Sequence, residues 1–119
     1  MNVNRLIKDT LNIIGLPVEQ DEYEGESDKY IIFTYEDESP AFHANNKPQA
    51  DTVYIQLQLI TPKNFNYFEL KDTIRNLLEK ADFTVSSIHS FTGDKYQGTE
   101  KIRQTVYEIS YTQGRMEEQ

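Results

Sequence analysis

Two histidines, a cluster of serines and a surplus of carboxylates are the residues whose types do chemistry elsewhere. His43 and His89 lie far apart in the chain, and neither falls in a metal-ligand spacing such as two histidines one helical turn apart. Ser86, Ser87 and Ser90 flank His89, but they sit in a strand-like stretch without the sharp strand-to-helix turn that exposes a nucleophilic serine. Asp21/Glu22 and Glu36/Asp37/Glu38 are close enough in sequence to pose as acid–base pairs or a magnesium site. Acid–base work needs one carboxyl held out of water so that its pKa moves, and these acids lie in polar segments where that is not expected. Tyr54, Tyr107 and Tyr111 have the rings to stack bases, a use that also demands a positive groove. There is no cysteine, which removes disulfides, thiolate metal sites and a thiol nucleophile. The five glycines are dispersed and form no phosphate-cradling loop. The expectation is a chain without catalytic residues, metal or cofactor.

The elements that would carry these residues are well marked. Val3, Ile7, Leu11 and Ile14, with Leu6 beside them, recur at helical spacing and predict a helix over 3–14. Asn2 can cap its start, Gly15 suits a left-handed residue at its end, and Pro17 blocks continuation. A short edge strand is expected around 18–23. Six acids, Glu19, Asp21, Glu22, Glu24, Glu26 and Asp28, then favour a solvated segment. Residues 30–35 are a β-branched and aromatic run, and 53–60 alternate Val53, Ile55, Leu57, Leu59 with Tyr54, Gln56, Gln58. The stretch 36–52 between them, with Pro40, Asn45, Asn46 and Pro48, reads as a long connection that also carries Phe42, an apolar residue in a polar setting. A second helix is predicted from an Asn66 cap with Glu69 at the third helical position, lined by Tyr67, Leu70, Ile74, Leu77, Leu78 and Ala81. Strands over 83–91, with a break of parity between Val85 and Ile88 that predicts a bulge, and over 100–112 complete the chain.

This order, α-β-β-β-α-β-β, predicts an α+β fold: an antiparallel or mixed sheet of four to five strands with both helices on one face. Residues 1–113 are expected to form one domain and 114–119 a flexible tail. The 119 residues, 37% hydrophobic and 12% aromatic, suffice for one core. No basic stretch followed by an apolar run opens the chain, so no signal peptide is expected, and no apolar run reaches the ~18 residues of a membrane span. The net charge is −8, with only 12 scattered Lys and Arg. A phosphate-gripping surface is therefore not expected, and the acidic balance serves solubility. The sheet face bearing Tyr54, Gln56 and Gln58 is left as a surface for another subunit.

The pattern as a whole resembles the small tail-completion, or tail-terminator, proteins of long-tailed bacteriophages and prophages. The likeness spans roughly residues 5–112. It runs through Gly15-Leu16-Pro17-Val18, Tyr30-Ile31-Ile32-Phe33, Ala41-Phe42 and Asn46-Lys47-Pro48. It continues in Val53-Tyr54-Ile55-Gln56-Leu57, Thr61-Pro62-Lys63-Asn64, Leu77-Leu78, Ala81-Asp82-Phe83-Thr84-Val85 and Val106-Tyr107-Glu108-Ile109-Ser110-Tyr111. The family pattern has an acid near Asn45 and a histidine before the last strand; Thr99-Glu100-Lys101-Ile102 occupies that approach here.

The resemblance implies a non-enzymatic virion assembly protein that forms a ring, often a hexamer, on the end of the tail tube. Such a ring ends tube growth and presents a joining surface to the head. Implied partners are further copies of the chain, the tail tube protein and the head connector or neck protein, with DNA passing through unbound and no membrane involved. Implied locations are the host bacterial cytoplasm during assembly and then the tail or neck of the virion. Phe42, His43, Asn46, Lys47, Pro48, Tyr54, Gln56 and Gln58 are then candidate interface residues. The acids Glu19, Asp21, Glu22, Glu24, Glu26 and Asp28 would face the lumen or the rim. A neighbouring head-closure or connector component, and an acidic inhibitor of a host nucleic-acid-binding protein, remain alternatives.

Overall fold

A computed structural model of the chain describes residues 2–44, 47–94 and 101–114. The elements in order are α1 (Val3–Leu11), β1 (Val18–Gln20), β2 (Tyr30–Ala44), β3 (Lys47–Pro62), α2 (Phe68–Lys80), β4 (Thr84–Asp94) and β5 (Lys101–Gly114). They form the expected α+β fold, with one five-stranded sheet in the order β1-β2-β3-β5-β4. The sheet is mixed: β1 runs parallel to β2, and the other neighbours are antiparallel.

α1 begins where Asn2 accepts the Arg5 N–H through its side chain. It is α-helical to Leu11 and tightens into a 3₁₀ turn over Asn12–Ile14. Gly15 at φ +82 closes that turn, its N–H donating to the Asn12 carbonyl. A β-carbon there would be strained by the left-handed backbone alone.

α2 starts at Phe68, one residue later than the cap pattern predicts, and Asn66 Oδ1 still accepts the Phe68 N–H at 3.3 Å. The helix ends in a Schellman motif. The Phe83 N–H reaches the Leu78 carbonyl, the Asp82 N–H reaches Glu79, and Asp82 takes the left-handed position at φ +72 that glycine usually fills.

The core lies between the helices and one sheet face. Val3, Ile7 and Leu11 of α1 and Ile74 and Leu78 of α2 pack on Ile31 and Phe33 of β2, Val53, Ile55, Leu57 and Leu59 of β3, and Tyr107 and Ile109 of β5. The alternation read in 53–60 is thus the core face of the central strand. Tyr107 is fully buried, and its hydroxyl donates to the Lys71 carbonyl at 2.9 Å, which ties β5 to α2. Burial first, and the nearby Asp72 charge second, push that hydroxyl above the usual tyrosine range.

Thr61 is also fully buried, and its hydroxyl has no hydrogen-bond partner. A lost water contact with nothing in exchange costs about 1–3 kcal/mol. Thr61→Val keeps the β-branched shape and deletes the stranded oxygen. It is expected to stabilise the fold by about 1 kcal/mol, read as a rise in the urea midpoint at unchanged slope.

The expected loop over 36–52 is corrected. β2 continues to Ala44 and β3 begins at Lys47, in register from Asp37↔Tyr54 to Ala44↔Lys47. The segment is the outer part of a long β-hairpin, an arm that runs on past Ala50, the buried residue opposite the last paired residue of β5, Gly114. At about 3.3 Å per residue, the 16-residue β3 accounts for most of the 57 Å long dimension of the molecule.

Each outer strand carries a register shift at nearly the same height: β2 between Tyr35 and Asp37, and β4 between Val85 and Ser87, where the parity break predicts it. β5 pairs through Gly114, opposite Ala50, so Gly114 belongs to the sheet rather than to the expected tail. Residues 115–119 lie outside the described residues.

Candidate functional site

Among the described residues the sheet face away from the helices has no layer over most of its area, and the predicted interface residues divide between it and the arm. Tyr54, Gln56 and Gln58 stand side by side on this face of β3, with Tyr54 41% exposed. Phe42 and His43 fall on the outgoing strand of the arm and Lys47 and Pro48 on the returning strand, His43 paired with Pro48 and Ala44 with Lys47. Asn46 lies outside the described residues.

A polar chain crosses the open face. Gln58 Nε2 donates to Gln56 Oε1 at 2.9 Å, and Gln56 Nε2 donates to Glu108 Oε1 at 3.2 Å. Glu36, at the β2 bulge, meets Glu108 carboxyl to carboxyl. That hydrogen bond first, then partial burial and the Glu108 charge, raise the Glu36 pKa above its ordinary value.

The sign follows from proton linkage. The folded state holds the Glu36 proton more tightly than the unfolded chain does. This contribution is therefore fully present below the ordinary glutamate pKa and is lost as pH rises through the raised value. Glu36→Gln is expected to raise the thermal midpoint slightly at neutral pH, with the gain vanishing on acidification below the ordinary glutamate range. A gain that persists in acid would assign it to something other than the carboxyl pair.

The six predicted acids also divide. Glu19 lies in β1 and pairs with Lys8 of α1 at 3.6 Å. Asp21, at φ +67, turns the chain out of β1, its N–H held by the Phe33 carbonyl. Glu22, Glu24, Glu26 and Asp28 are exposed, as a solvated segment requires.

That segment nevertheless has built-in order that sequence reasoning missed. The Tyr23 ring stacks on Tyr30 at 4.5 Å, and the Tyr23 hydroxyl accepts the Ser27 N–H at 2.8 Å. Ser27 Oγ donates to the Lys29 carbonyl at 2.7 Å. Gly25 lies so close to the Tyr23 ring that a β-carbon there would overlap it. The Tyr-x-Gly spacing was the available signal.

The pinned segment overhangs one end of the open face and encloses a cleft of about 440 Å³. Tyr30, Ile32, Gln58, Ile60 and Gln104 line its floor, and Glu26 and Asp28 stand in its wall. The acids therefore form the rim of the open face at the end opposite the arm.

The residues considered for chemistry stay apart. His89 is exposed on β4 and stacks on Phe91 at 6.4 Å, while Ser90 shares a 2.9 Å hydrogen bond with Thr105. Among the described residues no three His, Cys, Asp or Glu side chains gather as metal ligands would. No helix among them is long and apolar enough to cross a membrane. What the arrangement offers is contact area: a polar–aromatic face, a β-hairpin arm at one end and an acidic rim at the other.

No protein-family model matches the chain, and no curated protein matches it. Among solved structures 23 chains match. One of them, whose name states no activity, superposes over 97% of this chain and 96% of its own length, with a TM-score of 0.50 and 11% sequence identity. At that identity the likeness shows the fold alone: the whole chain, helices and sheet together, takes an architecture that an unrelated-looking sequence also adopts.

Proposed function

We propose that this protein is a tail-completion protein that assembles as a ring on the end of a phage tail tube, stops its growth and provides the surface to which the head is joined. The observation that carries the reading is the β2–β3 arm, which extends past the core and gives each subunit a projecting element at one end of an uncovered sheet face. Head-to-tail contacts of this kind, arm onto neighbouring face, are heterologous and close into a ring when the rotation permits. The family resemblance supplies the tube and the head as partners. The net charge of −8 agrees with a conduit that must let DNA pass without gripping it.

In the proposed arrangement Phe42, His43, Asn46, Lys47 and Pro48 of one copy meet the Tyr54, Gln56 and Gln58 face of the next. The rim with Glu22, Glu24, Glu26 and Asp28 is left free for the lumen or for the neck. The test is electron microscopy of the purified protein mixed with assembled tail tubes. A ring at one end of each tube is the expected result. Association with a head connector and not with tubes would move the protein to the neighbouring neck position, and association with neither would overturn the reading.

A further inference from the structure

The two edges of the sheet differ in what their backbones offer. At the β1 side, the Ile31 N–H donates to the Pro17 carbonyl and the Phe33 carbonyl accepts the Asp21 N–H. Odd-numbered residues of β2 therefore point their backbone groups outward there, and the direction alternates along an antiparallel strand. Tyr35 ends this set, and the extra residue at the bulge then reverses the parity, so beyond it Glu38 and Pro40 face outward. Neither has a donor to give. The Glu38 N–H is taken by Asp37 Oδ1 at 2.8 Å, and proline has no N–H. With Glu36, Asp37 and Glu38 in a row, this edge carries the charges and the proline that keep a strand from being added to it.

β4, the opposite edge, has none of these guards. Thr84–Asp94 contains no proline, lysine or arginine, and its one carboxylate, Asp94, is paired with Lys101. Among the described residues β4 pairs with β5 alone. Carrying the same alternation across β3 and β5 turns the backbones of Ile88, Ser90 and Thr92 outward, with their N–H and C=O groups free to form a ladder.

We propose that β4 of one copy pairs antiparallel with β4 of a second copy about a two-fold axis at Ser90, which joins two five-stranded sheets into one of ten strands. Three observations select a second copy. Molecules that each carry −8 repel, so like copies meet most readily where charge is least, and β4 is the neutral edge. The β2 edge is guarded by Glu36, Asp37, Glu38 and Pro40, so β4 is the edge that another copy offers most openly. A two-fold axis normal to the sheet makes such a same-edge contact antiparallel automatically. In this register Ile88 lies opposite the second copy's Thr92, and His89 lies opposite Phe91 on the open face. The aromatic neighbours already stacked within each chain are thereby repeated across the join. The contact does not depend on the tail-completion reading.

Sedimentation velocity of the full chain over a range of concentrations tests it. The wild type is expected to show a concentration-dependent dimer. Thr92→Pro removes an outward N–H and leaves the β4–β5 ladder intact, so it is expected to be monomeric with an unchanged circular dichroism spectrum. Thr92→Lys, which places a charge on the edge, is expected to do the same and decides the matter if the proline variant misfolds. Because the chain has no cysteine, Ser90→Cys is expected to form a covalent dimer under mild oxidation, since directly opposed hydrogen-bonded residues lie about 5.5 Å apart. A wild type that stays monomeric throughout overturns the proposal. So does a dimer that survives both Thr92 substitutions, or one that is lost instead with Tyr54→Ser, which would put the contact on the sheet face.

Discussion

Truncating Phe33 to alanine is expected to cost the fold about 3–5 kcal/mol. Phe33 has no exposed surface. It sits opposite Leu57 of the central strand, beside Gln20 of the short parallel strand β1, with its ring nearly perpendicular to that of Tyr35 and the centroids 6.4 Å apart. Its loss opens a void on the core face of β2, and the neighbours are poorly placed to fill it. Leu57 is fixed in the middle of the sheet, and β1 is only three residues long. Most domains of this size hold about 5–15 kcal/mol in all, so the variant should lose a large share of its stability. Equilibrium urea unfolding should show the midpoint falling steeply while the slope holds. Phe33→Leu, which retains most of the volume, should recover much of the loss, and a Phe33→Ala cost below about 1.5 kcal/mol would mean that the site collapses.

Shortening the arm should have the opposite profile: little effect on folding and complete loss of assembly. Ser39 and Thr52 face each other in the ladder. Joining them through an Asn-Gly turn of the tight hairpin type deletes Pro40–Asp51; it gives up the buried Ala50 and the last two β3–β5 pairs but leaves Val53, Ile55, Leu57 and Leu59 of the core in place. The circular dichroism spectrum should keep its helical content and the thermal midpoint should change little. If the arm carries the contact between neighbouring subunits, rings on tube ends should fall to background in electron micrographs, and complementation of a phage lacking the protein should fail. Tyr54→Ser keeps the arm and alters the receiving face, so the pair of variants separates the two halves of the proposed joint. Shortened protein that still caps tubes would remove the arm from the mechanism.

The residues differ in how openly they announce these features. α1 was legible because its three buried positions, its Asn2 cap and Gly15 agree with one another. The β4 bulge was legible as a break in an otherwise two-residue period. The arm was not. The alternation of large apolar residues that marks Val53–Leu59 is absent from Glu36–Thr52, beyond Ala50 the described ladder narrows to β2 and β3, and Pro40 and Pro48 look like loop residues. Pro40 in fact occupies an edge position where its missing N–H costs the ladder nothing.

The pairing of β1 was also hidden. Three residues carry too little pattern to tell a parallel strand from an antiparallel one, and the deciding bonds come from the flanking Pro17 and Asp21. The fold of the acidic segment depends on Tyr23, Gly25, Ser27 and Tyr30 acting together, in a stretch whose six carboxylates dominate any reading of composition.

The arm also has a metric consequence. Beyond Ala50, where β5 ends, the ladder can change length without rearranging the domain, but not by arbitrary amounts. Adding one residue to each strand inverts every side chain beyond the insertion, whereas adding two restores the faces and moves the tip by about 6.6 Å. Reach is therefore available only in steps of that size. A relative that must span a wider or narrower gap should differ from this chain by even numbers of residues per strand, placed beyond the Ala41–Ala50 pair, where β5 has ended.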